Sequence, residues 1–351
     1  MAEGVRRALP DAEIDVLPLA DGGPGTVQAI VAALGGELRR NTVTGPMGET
    51  TSAEWGLLPD GSAVIEIAAA AGLVLVPETD RDPRLATTFG VGEMILAALD
   101  SGSRHIVVGL GGSATNDGGA GVAQALGARL LDAEGADLPD GGGQLSRLAQ
   151  IDMSGLDPRL AECQVVCATD VRNPLCGPGG ASIIYGPQKG ATPEMARELD
   201  AALKNYAAIV QRDVGVSVAS LDGAGSAGGL GAGLVAFTGA ELRAGFEVVA
   251  EVVGLRQRIR GADLVLTGEG RLDGQTQYGK TVSGIAAIAS QLTVPVIVIP
   301  GALGPGWESV RPYVRKVEPV IGAVLSEEQA MVNPARSLSA TAQRVVTDWS
   351  R

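Results

Sequence analysis

The feature that most constrains the fold is a short apolar segment that runs directly into a glycine-rich loop. Residues 106–108 are Ile-Val-Val, a β-branched run typical of a buried strand, and residues 109–121 contain six glycines interleaved with Ser, Thr, Asn and Asp. A helix-compatible stretch follows at 122–126. Strand, polar glycine loop and helix start together aim backbone N–H groups at an anion. This order of strand, loop and helix predicts an α/β protein with an anion-binding loop. Tight packing is the alternative reason for the glycines, but it would not explain the polar side chains between them.

Composition describes an ordinary globular protein and limits its partners. The 351 residues suffice for two domains, and the 45% hydrophobic and 19% charged contents exclude a disordered chain. The net charge of −13 argues against nucleic acid and anionic membranes as partners, because both require basic patches. A local cluster of Lys and Arg can still bind a small anionic substrate. No apolar run is long enough to span a membrane, and no signal peptide is recognisable. We therefore expect a cytoplasmic protein, with a homo-oligomer left open.

The available side chains disfavour several kinds of chemistry. His105 is the only histidine, which disfavours a His-rich zinc site and histidine-based acid–base catalysis. Cys163 and Cys167 lie in a predicted strand and are interpreted as core thiols of a protein in a reducing compartment. The remaining polar groups are Asp, Glu, Lys, Arg, Asn and glycine N–H. These are the groups of phosphoryl transfer, in which catalysis consists mainly of positioning and charge stabilisation.

The order of elements predicts two α/β domains, with the second inserted into the first. The predicted elements are helices over 1–9, 26–34, 88–100, 193–212 and 282–291, strands over 12–19, 164–168, 262–267, 294–299 and 319–325, and an antiparallel meander over 37–68. Alternating strands and helices in the last third are typical of a parallel sheet. We assign 1–35, 88–130 and 256–351 to a Rossmann-like domain, and 36–87 and 131–255 to a second α/β domain. The active face is expected at the carboxyl ends of the strands.

Two segments imitate nucleotide-binding motifs. Residues 274–281, GQTQYGKT, satisfy the P-loop pattern, but 268–273 separates them from the preceding strand, so we interpret them as a false Walker A motif. Lys280, just before a helix, remains a good phosphate contact. Residues 109–114, with Asp132 after the next helix, resemble a dinucleotide fingerprint. This keeps an NAD-dependent oxidoreductase as the alternative function.

Carboxylates at predicted strand ends are candidates for metal binding and proton transfer. Glu269 and Asp273 flank Arg271 after a strand, where carboxylates suit magnesium; a surface ion pair is the alternative. Asp170 also follows a strand and could bind metal, accept a hydroxyl proton or cap a turn. The glycine run 223–233 suits either a second anion loop or close helix packing. The residues alone leave these alternatives open.

Taken together, these motifs resemble the bacterial glycerate kinase family (type I, glycerate 2-kinase), which phosphorylates D-glycerate with ATP. The resemblance lies in residues 20–23, 43–48, 111–119, 170–175, 186–190, 223–231 and 267–273, with Gln275, Thr276, Gly279 and Lys280. It implies a Rossmann-like parallel-sheet domain and a second α/β domain, with the active site in the cleft between them. It also implies ATP and Mg²⁺ as cofactors and 2-phosphoglycerate, rather than 3-phosphoglycerate, as the product.

The resemblance further implies roles for individual residues. ATP phosphates would lie against Gly111, Gly112, Ser113, Thr115, Gly118 and Gly119, and Mg²⁺ against Glu269 and Asp273. D-Glycerate would be bound by Asp21, Arg271, Asn116 and Asn173. Lys280 would neutralise charge, and either Asp170 or Asp117 would accept the proton of the attacking hydroxyl.

The start of the chain departs from the family pattern. Family members usually begin with a strand and a Pro-Asp-Ser-Phe-Lys-like loop, neither of which precedes the first helix here. We expect either that the start codon lies upstream of Met1, or that the chain is a catalytically impaired binding homologue.

Overall fold

The structure is a computed structural model, and it describes residues 1–274, 281–321 and 327–351. The chain packs as two compact units, one of residues 20–249 and one of residues 1–19 with 250–351. Among the helices of the described ranges, none has the length and apolar character needed to cross a bilayer.

Strands and helices alternate along most of the described chain. The strands are β1 (Glu37–Thr44), β2 (Thr50–Leu57), β3 (Ala63–Glu66), β4 (His105–Gly109), β5 (Arg129–Leu131), β6 (Gln150–Asp152), β7 (Gln164–Ala168), β8 (Glu241–Arg243), β9 (Val265–Thr267), β10 (Arg271–Leu272), β11 (Val296–Val298), β12 (Ala302–Leu303) and β13 (Lys316–Val317). The helices are α1 (Ala2–Ala8), α2 (Thr26–Leu34), α3 (Ala68–Ala71), α4 (Phe89–Asp100), α5 (Ala120–Ala125), α6 (Ala181–Tyr185), α7 (Pro193–Asp213), α8 (Ser226–Thr238), α9 (Gly245–Val252), α10 (Leu255–Ile259), α11 (Thr281–Gln291), α12 (Glu327–Val332) and α13 (Pro334–Trp349).

The larger unit is built on a six-stranded sheet in which antiparallel and parallel pairing meet. The strand order is β1-β2-β3-β4-β7-β8. The first three strands pair antiparallel, which confirms the predicted meander, whereas β3, β4, β7 and β8 run parallel. Every residue of β3 and four of the five residues of β4 are buried, as expected for parallel strands that are covered on both faces.

Helices cover this sheet with an aliphatic core. Helix α4 contributes Met94 and Ile95 to an apolar cluster that also contains Trp55 and Ile65 of the sheet. A second cluster contains apolar side chains of α7 and α8. The predicted helices over 26–34, 88–100 and 193–212 are confirmed as α2, α4 and α7.

The smaller unit contains a three-stranded parallel sheet in the order β13-β11-β9, and β10 pairs in parallel with β12. The parallel sheet that was predicted from alternating strands and helices in the last third of the chain is therefore confirmed. Helix α1 packs on α13 at Gly4, where a Cβ would lie 2.0 Å from the carbonyl oxygen of Ser339. Glycine at this position allows the close approach of the two helices.

Two predicted strands differ in the structure. Residues 12–19 form no strand: within the described ranges no strand pairs with this segment, and Pro18 lacks an N–H to donate to one. Of the strand predicted over 319–325, residues 319–321 form no strand and residues 322–325 lie outside the described residues. A short strand is found just before them, at Lys316–Val317. Alternating apolar residues indicate that a segment can extend, whereas a strand also requires a hydrogen-bonding neighbour.

The compact units also differ in their bounds from the predicted domains. Residues 20–35 and 88–130, predicted to belong with the C-terminal third, pack within the larger unit. The pairing of β4 with β3 on one side and β7 on the other explains this grouping.

Candidate active site

Four parallel strands of the larger unit end in register at one edge of the sheet. Glu66 of β3 lies opposite Gly109 of β4, Gly109 opposite Ala168 of β7, and Ala168 opposite Arg243 of β8. Asp170 follows shortly after the end of β7. The carboxyl ends of parallel strands are the usual ligand-binding edge of α/β proteins. Glu66, Arg243 and Asp170 are therefore placed along this edge.

The segment 20–23 crosses the same edge and brings Asp21 to it. Gly22 adopts a left-handed φ of 90°, and its carbonyl oxygen accepts a hydrogen bond of 3.3 Å from the N–H of Gly111. A Cβ at Gly22 would lie 3.0 Å from the carbonyl oxygen of Ala168. A side chain at Gly22 would therefore be strained and crowded where this segment crosses the sheet edge.

Asp170 is held beside the backbone of Asp21 by the first residue of α9. The N–H of Gly245 donates to Oδ1 of Asp170 at 3.0 Å. A Cβ at Gly245 would lie 1.9 Å from the carbonyl oxygen of Asp21, so glycine is required for this approach. Both aspartates are exposed. The structure thus brings Asp21 and Asp170 together at the sheet edge that also carries Gly111.

Beyond Gly112 the glycine loop turns into the protein, and Asp117 becomes fully buried. Its carboxylate accepts hydrogen bonds from the backbone N–H and hydroxyl of Thr88, both at 2.8 Å, and from the N–H groups of Gly119 at 3.1 Å and Gly121 at 3.2 Å. Burial raises the pKa of Asp117, and these hydrogen bonds oppose the increase. The anion at the start of α5 is therefore the protein's own carboxylate. Of the two candidate proton acceptors, Asp170 is the exposed one.

Gly118 and Gly119 pack against the glycine run 223–233. The N–H of Gly118 donates to the carbonyl of Gly228 at 3.1 Å, and a Cβ at Gly119 would lie 2.9 Å from the Cα of Gly233. Both residues of the loop are buried. These contacts favour close helix packing over a second anion loop as the reason for the glycine run.

The two asparagines predicted to bind substrate make internal hydrogen bonds. The amide of Asn116 is fully buried and donates to Oγ of Ser182 at 2.9 Å. The amide nitrogen of Asn173 donates to the carbonyl of Gly179 at 2.8 Å, and its oxygen accepts a 2.8 Å hydrogen bond from Tyr185. Both side chains therefore hold neighbouring segments in place.

The segment 268–273 lies in the smaller unit, where Arg271 is exposed and begins β10. Glu269 and Asp273 are half-buried. No group of three or more His, Cys, Asp or Glu residues is arranged to hold a metal ion within the ranges 1–274, 281–321 and 327–351. Lys280 lies outside the described residues, so its predicted role stays a prediction.

The sequence interpretation assigned no role to three charged residues near the loop or the sheet edge. Lys189 is buried and donates from Nζ to Oγ of Ser113 at 2.8 Å and to the carbonyl of Thr115 at 2.7 Å. Glu66 is buried and accepts a hydrogen bond from the first turn of α2, and Arg243 ends β8. The only signal for Glu66 is a charge inside an apolar strand, whereas Arg243 becomes recognisable only once the strand order is known.

Comparison with known proteins identifies the relatives of this chain. The model of the glycerate kinase family matches residues 1–350. This chain belongs to the glycerate kinase family. A glycerate kinase of Halalkalibacterium halodurans is 48% identical over 99% of this chain and 93% of its own length. Glycerate 2-kinase of Escherichia coli K12 is 52% identical over 86% of this chain and 79% of its own length.

A solved structure extends the similarity to three dimensions. The crystal structure of a protein named glycerate kinase 2 from Salmonella typhimurium LT2 superposes with a TM-score of 0.91 at 49% identity, covering 99% of this chain and 92% of that one. The α/β class with parallel-sheet elements is thereby confirmed. The chain is an enzyme of the glycerate kinase family, and the family activity is the phosphorylation of glycerate.

Proposed function

We propose that this enzyme transfers the γ-phosphoryl group of ATP to the 2-hydroxyl of D-glycerate. The observation that carries the proposal is the meeting of Asp21 and Asp170 at the sheet edge of Gly111 and Gly112, in a chain of the glycerate kinase family. The name of the Escherichia coli relative, glycerate 2-kinase, favours 2-phosphoglycerate as the product. Use of ATP suits a cytoplasmic enzyme. Family membership favours this reaction over a nicotinamide-dependent oxidation.

Asp170 is the proton acceptor in the proposed reaction. Its carboxylate is exposed, so a substrate hydroxyl can reach it, and the Gly245 N–H bound to Oδ1 fixes its orientation. Asp21 orients D-glycerate beside it. Asp117, which is buried and accepts four hydrogen bonds, maintains the loop instead.

The accessible backbone at Gly111 and Gly112 receives the phosphates of ATP, because the lack of side chains permits close approach. Ser113, Thr115, Gly118 and Gly119 support this turn from within the protein. Asn116 and Asn173 keep the neighbouring segments in place through their internal hydrogen bonds.

Glu269 and Asp273 are the proposed magnesium ligands. Carboxylate oxygens suit Mg²⁺, which commonly uses one or two of them together with substrate phosphates, so a larger acidic cluster is not required. When bound, the ion neutralises charge on the transferred phosphoryl group. Arg271 is exposed and is proposed to bind the glycerate carboxylate, and Lys280 to neutralise phosphate charge.

The test is ADP release from magnesium-ATP with and without D-glycerate, followed by identification of the product. Enolase converts 2-phosphoglycerate directly into phosphoenolpyruvate, whereas 3-phosphoglycerate first needs a mutase. We expect glycerate-dependent ADP release and a product that enolase consumes without mutase. A mutase requirement would contradict the 2-hydroxyl assignment. NADH binding together with indifference to magnesium-ATP would support the oxidoreductase alternative.

A further inference from the structure

Lys189 is a buried cation that contacts the glycine loop just after its accessible turn. It closes the short 3₁₀ turn Pro187–Lys189, and only 2% of the residue is exposed. Its Nζ lies 2.8 Å from Oγ of Ser113 and 2.7 Å from the carbonyl oxygen of Thr115. Gly190 fixes the end of the turn, because its φ of 95° and its approach to the backbone of Arg81 exclude a side chain there.

Packing alone does not explain an ammonium group at this position. A buried charge is costly unless it is paired and hydrogen-bonded, and both acceptors bound by Lys189 are neutral. The charged group that acts on it among the described residues is Asp117, which is itself fully buried. Burial lowers the pKa of Lys189 to about 7, against the opposing influence of the Asp117 carboxylate. An apolar side chain would fill the space at less cost, so the two hydrogen bonds that Nζ donates are the reason for a lysine here, and both go to the loop.

Ser113, which accepts one of the two hydrogen bonds from Lys189, is joined directly to the accessible turn and is flanked by backbone hydrogen bonds. Ser113 follows Gly112 directly and forms an isolated β-bridge with Gly72. The carbonyl of Gly112 accepts a hydrogen bond from Leu73 at 2.8 Å, and the N–H of Ala114 donates to Ala71 at 2.8 Å. A shift of Ser113 would therefore alter the neighbouring glycine backbone.

We propose that Lys189 is a positioning residue that sets the Gly111–Gly112 turn for phosphate binding through its hydrogen bonds to Ser113 and Thr115. The proposal rests on the function proposed above, since it assigns a purpose to the loop in ATP binding. Lys189 itself is too buried to touch the nucleotide.

The first test is a double-mutant cycle of Lys189→Met and Ser113→Ala in the full chain. We expect Lys189→Met to lower kcat/KM about 10- to 100-fold, the range for the loss of two buried hydrogen bonds, with KM for ATP rising more than KM for D-glycerate. Ser113→Ala should lower kcat/KM less than Lys189→Met does. The double variant should lose little more than Lys189→Met alone, because the Lys189–Ser113 hydrogen bond is removed in both single variants and in the double variant. Lys204→Met, at a lysine that is 58% exposed in its side chain, is the matched control and should retain activity.

Two results would overturn the proposal while leaving the kinase assignment intact. The first is a double variant whose loss in kcat/KM equals the product of the two single losses. The second is unchanged kinetics in a folded Lys189→Met enzyme. If Lys189→Met does not fold, Ser113→Ala carries the kinetic test, and an unchanged KM for ATP would count against the proposal. If the parent chain shows no glycerate-dependent turnover, the proposed function fails. In that case, amide hydrogen exchange over residues 110–118 tests the inference about Lys189. Exchange should be faster in Ser113→Ala than in the parent chain and unchanged in Lys204→Met. Unchanged exchange in Ser113→Ala would overturn the inference.

Discussion

The two halves of the glycine loop, 109–112 and 113–121, differ in sequence and in environment: the first is glycine with Leu110, and the second interleaves Ser, Thr, Asn and Asp with glycine. In the first half, Gly111 and Gly112 are accessible and meet the segment that carries Asp21. The second half is buried, and its polar side chains bond to the protein itself. A single glycine loop can therefore present one half to a ligand while the polar side chains of the other half anchor it within the protein.

The sharpest test compares Asp170, which lies at the sheet edge that carries Gly111, with Asp117 of the buried half of the loop. We predict that Asp170→Asn lowers kcat by about 10² to 10⁴-fold, the range for loss of a general base, while the free energy of unfolding changes little because Asp170 is exposed. Steady-state kinetics and urea unfolding of the same preparations measure both quantities. Asp80→Asn, at another exposed aspartate of the larger unit, serves as the control. A fully active Asp170→Asn enzyme would remove Asp170 from the mechanism.

Asp117→Asn should show the opposite pattern and mainly lower stability. An amide cannot accept all four hydrogen bonds from Thr88, Gly119 and Gly121, and the buried Lys189 would lose its compensating charge. We expect a loss of about 3 kcal/mol in the free energy of unfolding, the upper end of the range for buried hydrogen bonds to a charged group. Urea unfolding provides the measurement. Unchanged stability with abolished turnover would instead make Asp117 the proton acceptor.

The fold was predictable where the residues of one segment alone indicate its secondary structure. Strand β7, the meander and helices α2, α4 and α7 follow from apolar periodicity and turn residues. The segment 12–19 has the same alternation but pairs with none of the strands in the described residues, and pairing depends on the rest of the chain. The difference between the predicted domain bounds and the compact units has the same cause, because the neighbours of β4 come from outside its own segment.

The site was predictable in residue types but not in burial. Asp170 follows a strand end and Asp117 lies in a glycine-containing loop. Asp170 is exposed, whereas Asp117 is fully buried and accepts hydrogen bonds from Thr88 and from its own loop. Lys189 in a Gly-Pro-Gln-Lys-Gly turn has the sequence of an exposed lysine. Its burial depends on residues 113–115, which lie far away in the chain. Long-range packing of this kind leaves no local signal.

Lys189 also predicts a dependence of stability on pH. Its pKa is about 7 in the folded protein and 10.5 ordinarily, so between these values the unfolded chain binds a proton that the folded chain does not. Stability should therefore rise with pH in this window, by at most about 1.4 kcal/mol per pH unit from this group. Urea unfolding between about pH 7 and 9 should show this rise in the parent and in Lys204→Met, but a flatter profile in Lys189→Met. Parallel profiles in all three proteins would contradict the predicted titration.

The smallest expected effect concerns the glycine run that covers the inner half of the loop. Ala227 adopts a left-handed φ of 53°, next to Gly228 and Gly229, which adopt the same region without a Cβ. A left-handed alanine costs about 1 to 2 kcal/mol, and the greater freedom of glycine in the unfolded chain offsets part of that. We predict that Ala227→Gly raises the free energy of unfolding by about 0.5 kcal/mol and leaves kcat unchanged.

Ala232→Gly, in the regular part of the same helix, should instead lower stability, because glycine is unfavourable in a helix interior. Thermal unfolding of the two variants tests the pair, and equal destabilisation would show that the left-handed backbone at Ala227 carries no strain.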